Sequence, residues 1–254
     1  MNDLSAFSLE GRTILVTGAN TGIGQGIAIS AARAGARVLG VGRSSMDETA
    51  QLLGQYANGF DAVSCDLADH AAARSMLENA WETHGPIDGL VNNAGIIRRA
   101  DAAEHSETDW DAVLDMNLKS LFFLSQAYAR RLFAAARQGK IVNIASLLSF
   151  QGGIRVAAYT ASKHGVAGVT QVLANEWAAK GINVNAVAPG YIETNNTEAL
   201  RADPDRSAAI LSRIPAGRWG APQDIGDAVV FLLSQASNYM HGAIVPVDGG
   251  WLAR

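Results

Sequence analysis

Tyr159 and Lys163 stand four residues apart in the segment YTASK, a spacing that puts a phenol and an ammonium on one face of a helix. A phenol with an ordinary pKa near 10 is a poor acid–base group at neutral pH, and a neighbouring cation stabilises its phenolate. The pair therefore points to proton transfer at an oxygen, although a solvated amphipathic helix offers the same spacing. Ser146, thirteen residues earlier, closes the apolar run KIVNIAS and is either a turn-forming serine or a donor at a strand's carboxyl end. Near the start, TGANTGIG supplies a third group. Gly18 allows a tight turn, Gly22 lets backbone approach a pyrophosphate, and Gly24 lets helix and strand pack closely, with phosphate at the helix N-terminus. Three glycines in seven residues also make a plain turn. Asn92, Asn93, Ala94 and Gly95 form a fourth group with the same ambiguity.

Convergence decides between these readings, and it depends on the elements that carry the groups. Short β-branched or apolar runs at 13–17, 37–41, 62–65, 89–92, 140–145, 183–188 and 243–247 predict seven strands. Stretches with helical apolar spacing at 24–34, 69–81, 108–136, 157–179 and 222–234 alternate with them, as parallel strands require. The pattern predicts an α/β chain, one doubly wound parallel sheet with helices on both faces, over a single domain spanning 1–254. Its least regular part, 190–221, is expected to be an insertion covering a substrate. All four groups then fall at the carboxyl ends of strands one, four and five, or on the helix after strand five. Independent turns have no reason to gather there.

Composition narrows the function classes. Hydrophobic residues make up 48% of the 254 and charged residues 17%, too apolar for a disordered chain. Twenty basic against 24 acidic side chains give a net charge of −4 without a Lys/Arg cluster, which argues against nucleic acid. No leader-like start and no long apolar run direct the chain to export or a membrane. The single cysteine, Cys65, cannot form an internal disulfide, and a cytoplasmic location is expected. Five histidines without i,i+4 pairing or thiolate partners predict no metal site.

The set TGANTGIG, NNAG, Asn117, Ser146, the Tyr159–Lys163 motif and the Pro189–Gly190 pair resembles the short-chain dehydrogenase/reductase family along the whole chain. The resemblance implies a Rossmann fold and hydride transfer between NAD or NADP and a carbonyl carbon. It makes Tyr159 the acid–base, Lys163 the residue that holds cofactor ribose and lowers the tyrosine pKa, Ser146 the group orienting the substrate oxygen, and Asn117 the holder of a relay water. It assigns cofactor contacts to Gly18, Asn20, Gly22, Ile23, Asn93 and Thr194, and to Asp66 with Leu67 near adenine; a plain helix N-cap is the lesser alternative for Asp66. It also implies a homotetramer.

Cofactor choice turns on the end of the second strand, where an acid would bind the ribose 2′-hydroxyl. The sequence there is Val41, Gly42, Arg43: the acid is missing, and Arg43 favours or tolerates a 2′-phosphate. Thr21 stands where NADP-preferring relatives often carry a basic residue, so the preference stays open. The less generic segments LSAFSLEG, IIRRADAAE, SLLSFQGGIRV, APGYIETNNT, RIPAGRWG and VDGGWLAR resemble family members acting on sugar acids in pectin and uronate breakdown. Arg99, Arg155 and Arg218 are each able to meet a carboxylate, with Arg155 favoured because its loop joins Ser146 to Tyr159. Gln151 and Asn195 are candidates for sugar hydroxyls. The rivals are a reductase of another polyol or of 3-oxoacyl thioesters, and a nucleotide-sensing protein that has lost catalysis.

Overall fold

Near-continuous apolar runs form one parallel sheet from β1 (Thr13–Thr17), β2 (Arg37–Gly42), β3 (Phe60–Ser64), β4 (Gly89–Asn92), β5 (Gly139–Ile144), β6 (Ile182–Pro189) and β7 (Ile244–Val247). The computed structural model describes residues 4–56 and 58–253; Met1 to Asp3, Ala57 and Arg254, and with them both ends of the expected domain, lie outside the described residues. The order is β3-β2-β1-β4-β5-β6-β7, with register pairs such as Thr17↔Val41, Val16↔Val91 and Asn92↔Asn143. Strand order reverses between β1 and β4, so a crevice opens beyond their carboxyl ends, where ligands gather in open α/β sheets. β4, β5 and β6 are buried along their whole length because helices cover both faces.

The helices are α1 (Gly22–Arg33), α2 (Asp47–Leu53), α3 (His70–His84), α4 (Glu107–Leu114), α5 (Ser120–Ala134), α6 (Ala157–Trp177), α7 (Glu198–Ala202), α8 (Pro204–Leu211) and α9 (Pro222–Leu233). Alternate strand residues face opposite layers. Leu15, Leu39 and Leu90 pack with Leu77, Tyr128 and Leu132 of α3 and α5. Ile14, Val16 and Val38 pack on the other side with Ile27, Ala28, Val229 and Leu233 of α1 and α9. These two layers hold the strand ends, and hence the site, in fixed register.

Five expectations are revised. The single helix expected over 108–136 is α4, a π-helical turn at Asp115–Lys119, and α5. α2 is an additional element, short and polar at its start. The irregular 190–221 stretch contains α7 and α8, the latter begun by Pro204 and capped by Asp203, which accepts from the backbone N–H groups of Asp205 and Arg206 at 3.1 Å each. β3 also starts two residues earlier than expected, and β5 stops at Ile144. Among the described residues no helix is long and apolar enough to cross a membrane, and no group of three or more His, Cys, Asp or Glu is placed to hold a metal.

Candidate active site

β1 delivers the chain directly into the glycine turn. Thr17 Oγ1 donates to the Val91 carbonyl at 3.1 Å and accepts from the backbone N–H groups of Asn93 and Ala94 at 2.9 and 3.0 Å. Asn93 Nδ2 donates back to the Thr17 carbonyl at 2.9 Å. One hydroxyl and one amide thus lock the turn after β1 to the loop after β4. Gly18 sits at φ +67°, a conformation that favours glycine, and a Cβ on Gly24 would lie 2.0 Å from the Gly18 carbonyl oxygen. The first turn of α1 carries no acidic residue, and its N-cap Thr21 makes no side-chain capping bond. The amino end of α1 therefore presents backbone donors and a positive dipole end to the crevice.

That crevice is a cleft of about 560 Å³. One end is bordered by Gly42, Arg43, Asp66 and Leu67, the middle by the glycine turn and Asn93, and the other end by Tyr159, Lys163 and Thr194. Asn20, Gly22, Ile23 and Asn195 also line it, so the cleft is lined by every residue expected to contact cofactor and by one expected to contact substrate. Ser146, Asn117, Arg99, Arg155 and Gln151 are not among the residues that line it. Sequence reasoning passed over Arg98, Asp115 and Asn196, which also line the cleft. Their only signal was adjacency, since Arg98 and Asn196 neighbour expected site residues.

Tyr159 lies in the third position of α6. Burial pushes its phenol above the ordinary range, while a hydrogen bond with Ser146 and the charge of Arg99 pull it down. Ser146 caps the turn after β5, its Oγ accepting from the Leu148 N–H at 3.1 Å. Lys163 is buried at 5% exposure; Nζ donates to the Ile144 carbonyl at 2.6 Å and lies 5.6 Å from the Tyr159 ring centroid. Desolvation lowers the Lys163 pKa to about 8. The ammonium is thus directed at the end of β5, within 5.6 Å of the Tyr159 ring centroid.

Asn117 occupies the π turn, a local widening that recurs at functional sites. Its amide is fully engaged. Nδ2 donates to the Ile96 carbonyl at 2.9 Å and to Ser162 Oγ at 3.2 Å, while Oδ1 accepts from the Ile96 N–H at 2.8 Å. It fixes the loop after β4 against α6.

The expected substrate contacts separate. Arg155, at φ +64°, accepts from the Ala100 N–H at its carbonyl and pairs through Nε with Asp101 at 3.1 Å. Arg218 is held by Asp224, Nη1–Oδ2 2.7 Å, in a region apart from the cleft. Gln151 Oε1 accepts from Trp251 Nε1 at 3.4 Å. Arg99 Nη2 donates to the Asn196 carbonyl at 3.3 Å. Arg43 pairs with Asp66 at 3.4 Å on the rim of the other end.

The residues present fit a nicotinamide dinucleotide: a cradle that a Cβ would fill, a helix N-terminus without acid, and a buried ammonium beside a phenol at the far end of one continuous cleft. Comparison with known proteins agrees. Residues 18–252 match a family model described as Enoyl-(Acyl carrier protein) reductase. The chain is 55% identical, over 99% of both chains, to 2-dehydro-3-deoxy-D-gluconate 5-dehydrogenase of Escherichia coli (strain K12). It is 63% identical to a solved candidate 2-deoxy-d-gluconate 3-dehydrogenase from Agrobacterium tumefaciens with bound NADP, at a TM-score of 0.94 covering 98% of this chain and 99% of that one. It is 37% identical, with a TM-score of 0.93 over 99% of both chains, to a gluconate 5-dehydrogenase from Burkholderia cenocepacia J2315 in complex with NADP and tartrate.

Proposed function

The chain belongs to the short-chain dehydrogenase/reductase family of NAD(P)-dependent oxidoreductases acting on CH–OH groups, and from that premise we propose that it interconverts the C5 hydroxyl and C5 ketone of 2-dehydro-3-deoxy-D-gluconate. The observation that carries the substrate is the near full-length, 55% identity to the Escherichia coli enzyme of that name. The Burkholderia cenocepacia relative is in complex with NADP and tartrate, a hydroxy-acid, which supports an acidic polyol as ligand.

Bound nicotinamide supplies or takes up the hydride. The chain's own residues handle the proton and the geometry. In the reducing direction Tyr159 gives its phenolic proton to the substrate oxygen, and Ser146 turns its single hydroxyl proton from the phenol to that same oxygen. Burial holds the phenol protonated at neutral pH, so it starts as the acid; Arg99 and Ser146 ease its ionisation. Lys163 is fixed by the Ile144 carbonyl where a ribose hydroxyl would meet its remaining donors. The Asn117 amide is committed to Ile96 and Ser162, so a relay water falls to its backbone carbonyl.

The 190–221 stretch covers the substrate end, supported by Thr194, Asn195 and Asn196 lining the cleft and by the Arg99 bond to Asn196. The chain acts in the cytoplasm, in keeping with one free, buried cysteine. It assembles as a homotetramer that covers exposed apolar side chains such as Phe150, Ile154 and Val172. A thioester on an acidic carrier protein fits less well with a net charge of −4.

A substrate panel read by nicotinamide absorbance tests the reading. 2-Dehydro-3-deoxy-D-gluconate should exceed neutral polyols and a 3-oxoacyl thioester in kcat/KM by at least tenfold. Tyr159→Phe should lower kcat by about 10² to 10⁴ while dinucleotide affinity stays within about threefold. Sugar-acid activity at the level of the neutral polyols would refute the substrate, and an unimpaired Tyr159→Phe would refute the mechanism.

A further inference from the structure

The 190–221 stretch is pinched at its base, where Ile192 bridges to Gly220. The Glu193 N–H donates to the Gly220 carbonyl at 2.8 Å and the Gly220 N–H to the Tyr191 carbonyl at 2.9 Å. Its flank is held by a side chain from the far end of the chain. Trp251 is buried, and Arg213 Cζ lies 4.0 Å from its ring centroid, within cation–π range. Ile210 and Ile214 pack in the same cluster. The turn before Trp251 is shaped for this approach. Gly249 stands at φ +64°, a Cβ there would lie 2.8 Å from Ile214 Cγ2, and its carbonyl accepts from the Ala216 N–H at 2.9 Å. Asp248 closes the turn by accepting from the Gly250 and Leu252 N–H groups at 2.8 and 2.9 Å.

The same indole meets the turn that carries Ser146. Leu147, the next residue, belongs to the Trp251 cluster, and Trp251 Nε1 donates to Gln151 Oε1 at 3.4 Å. Between these two contacts the turn Leu147–Ser149 is capped by Ser146 Oγ and fastened to α6, Ser149 Oγ donating to the Lys163 carbonyl at 2.7 Å. Leu147, Ile214 and Trp251 do not line the cleft, so they act on the reaction only through what they hold. A close-packed cluster transmits position, because it does not deform continuously. We propose that Trp251 is a positioning residue that sets the substrate cover and the Ser146 turn against each other, so that substrate is enclosed where the Ser146 hydroxyl is aimed.

The inference rests on the reading that 190–221 covers the substrate, and its test separates the two. Trp251→Ala and Trp251→Phe are compared with Leu147→Ala on the turn and Arg213→Met on the cover, each first checked for NADPH affinity within about twofold of wild type. Trp251→Leu takes the place of Trp251→Ala if the latter fails that check. In oxidation of 2-dehydro-3-deoxy-D-gluconate, Arg213→Met should raise KM about fivefold at unchanged kcat, and Leu147→Ala should lower kcat about fivefold at unchanged KM. Trp251→Ala should do both, about tenfold each, and Trp251→Phe should recover most of the loss. The alkaline-activating limb of kcat should move to higher pH in Trp251→Ala and Leu147→Ala, where the Ser146 bond that lowers the Tyr159 phenol is weakened, and stay in place in Arg213→Met. The effects of Leu147→Ala and Arg213→Met on kcat/KM should depart from additivity by at least threefold, and add simply in the Trp251→Ala background. Hydrogen exchange of the NADPH-bound protein reads the tie without turnover: Trp251→Ala should accelerate both 147–151 and 204–214 at least threefold. Acceleration of one segment alone, additive effects with Trp251 in place, or a lowered thermal midpoint with unchanged kinetics overturns the inference. Paired acceleration in a protein that does not turn over the sugar acid leaves the tie standing and overturns the proposed substrate.

Discussion

At the end of the cleft bordered by Gly42, Arg43 and Asp66, the proposed selection between NAD and NADP comes down to single side chains. A Cβ on Gly42 would meet Met46 Cε at 3.0 Å and Asn20 Oδ1 at 3.3 Å, so a ribose-binding acid has little room there. Arg43 and Asp66 form an exposed pair at 3.4 Å, weak enough for a doubly charged 2′-phosphate to displace the carboxylate. Arg43→Ala should therefore raise KM for NADP by roughly tenfold, in line with a lost hydrogen bond to a charged group, and change KM for NAD by less than about twofold. Initial rates with both cofactors check it; equal losses would mean that Arg43 serves adenine rather than phosphate. The glycine turn and the Tyr159–Lys163 pair were legible in the sequence because local spacing defines both. The partners of the arginines were not. Nothing between Ser146 and Tyr159 shows that Asp101, on the loop after β4, answers Arg155, because that contact exists only once two strand ends are side by side.

The same contrast holds for elements. Strand runs buried on both faces announce themselves by continuous apolarity, and all seven were placed to within a few residues. The π turn was invisible, since apolar spacing continues across Asp115–Lys119 and no proline or glycine marks the extra residue. α2 buries only Thr49 and Leu53 and offers too little periodicity over seven residues. The helices of the 190–221 stretch bury none of their residues fully; α8 is held by the Asp203 cap and by Ile210 packing against Leu147, Ile214 and Trp251. Asp203→Ala removes both capping bonds of α8 and should destabilise that helix by about 1 kcal/mol. The global midpoint should hold. Hydrogen exchange over 204–212 should accelerate about fivefold, and KM for the sugar acid should rise two- to fivefold through a frayed cover. Faster exchange with an unchanged KM would show that this stretch does not restrain the substrate.

For the molecule as a whole, β5 is the strand on which pH acts most directly. Lys140, at its start, donates to Ser237 Oγ at 3.2 Å and Asn238 Oδ1 at 2.8 Å, and Lys163 donates to the carbonyl at its end. Both ammonium groups are buried at 5% exposure, and neither has an ion pair among the described residues. Neutral acceptors do not offset the lost hydration of a charge, and both pKa values fall to about 8, with Arg12 adding to the effect at Lys140. An unfolded chain keeps these protons up to the ordinary lysine value of 10.5. Above pH 8 the unfolded state therefore binds more protons than the folded one, and stability rises with pH. The rise is clearest between pH 8 and 9. Higher still, Cys65, Tyr128, Tyr159 and Tyr191 oppose it, because burial raises their pKa values and the unfolded chain ionises first. Urea unfolding of the dinucleotide-free protein should gain about 1 to 2 kcal/mol from pH 8 to pH 9, and Lys163→Met should gain about half as much. A flat or falling profile would mean that these two ends of β5 keep their charges solvated, and the Lys163 ammonium would then be fully protonated throughout the working range.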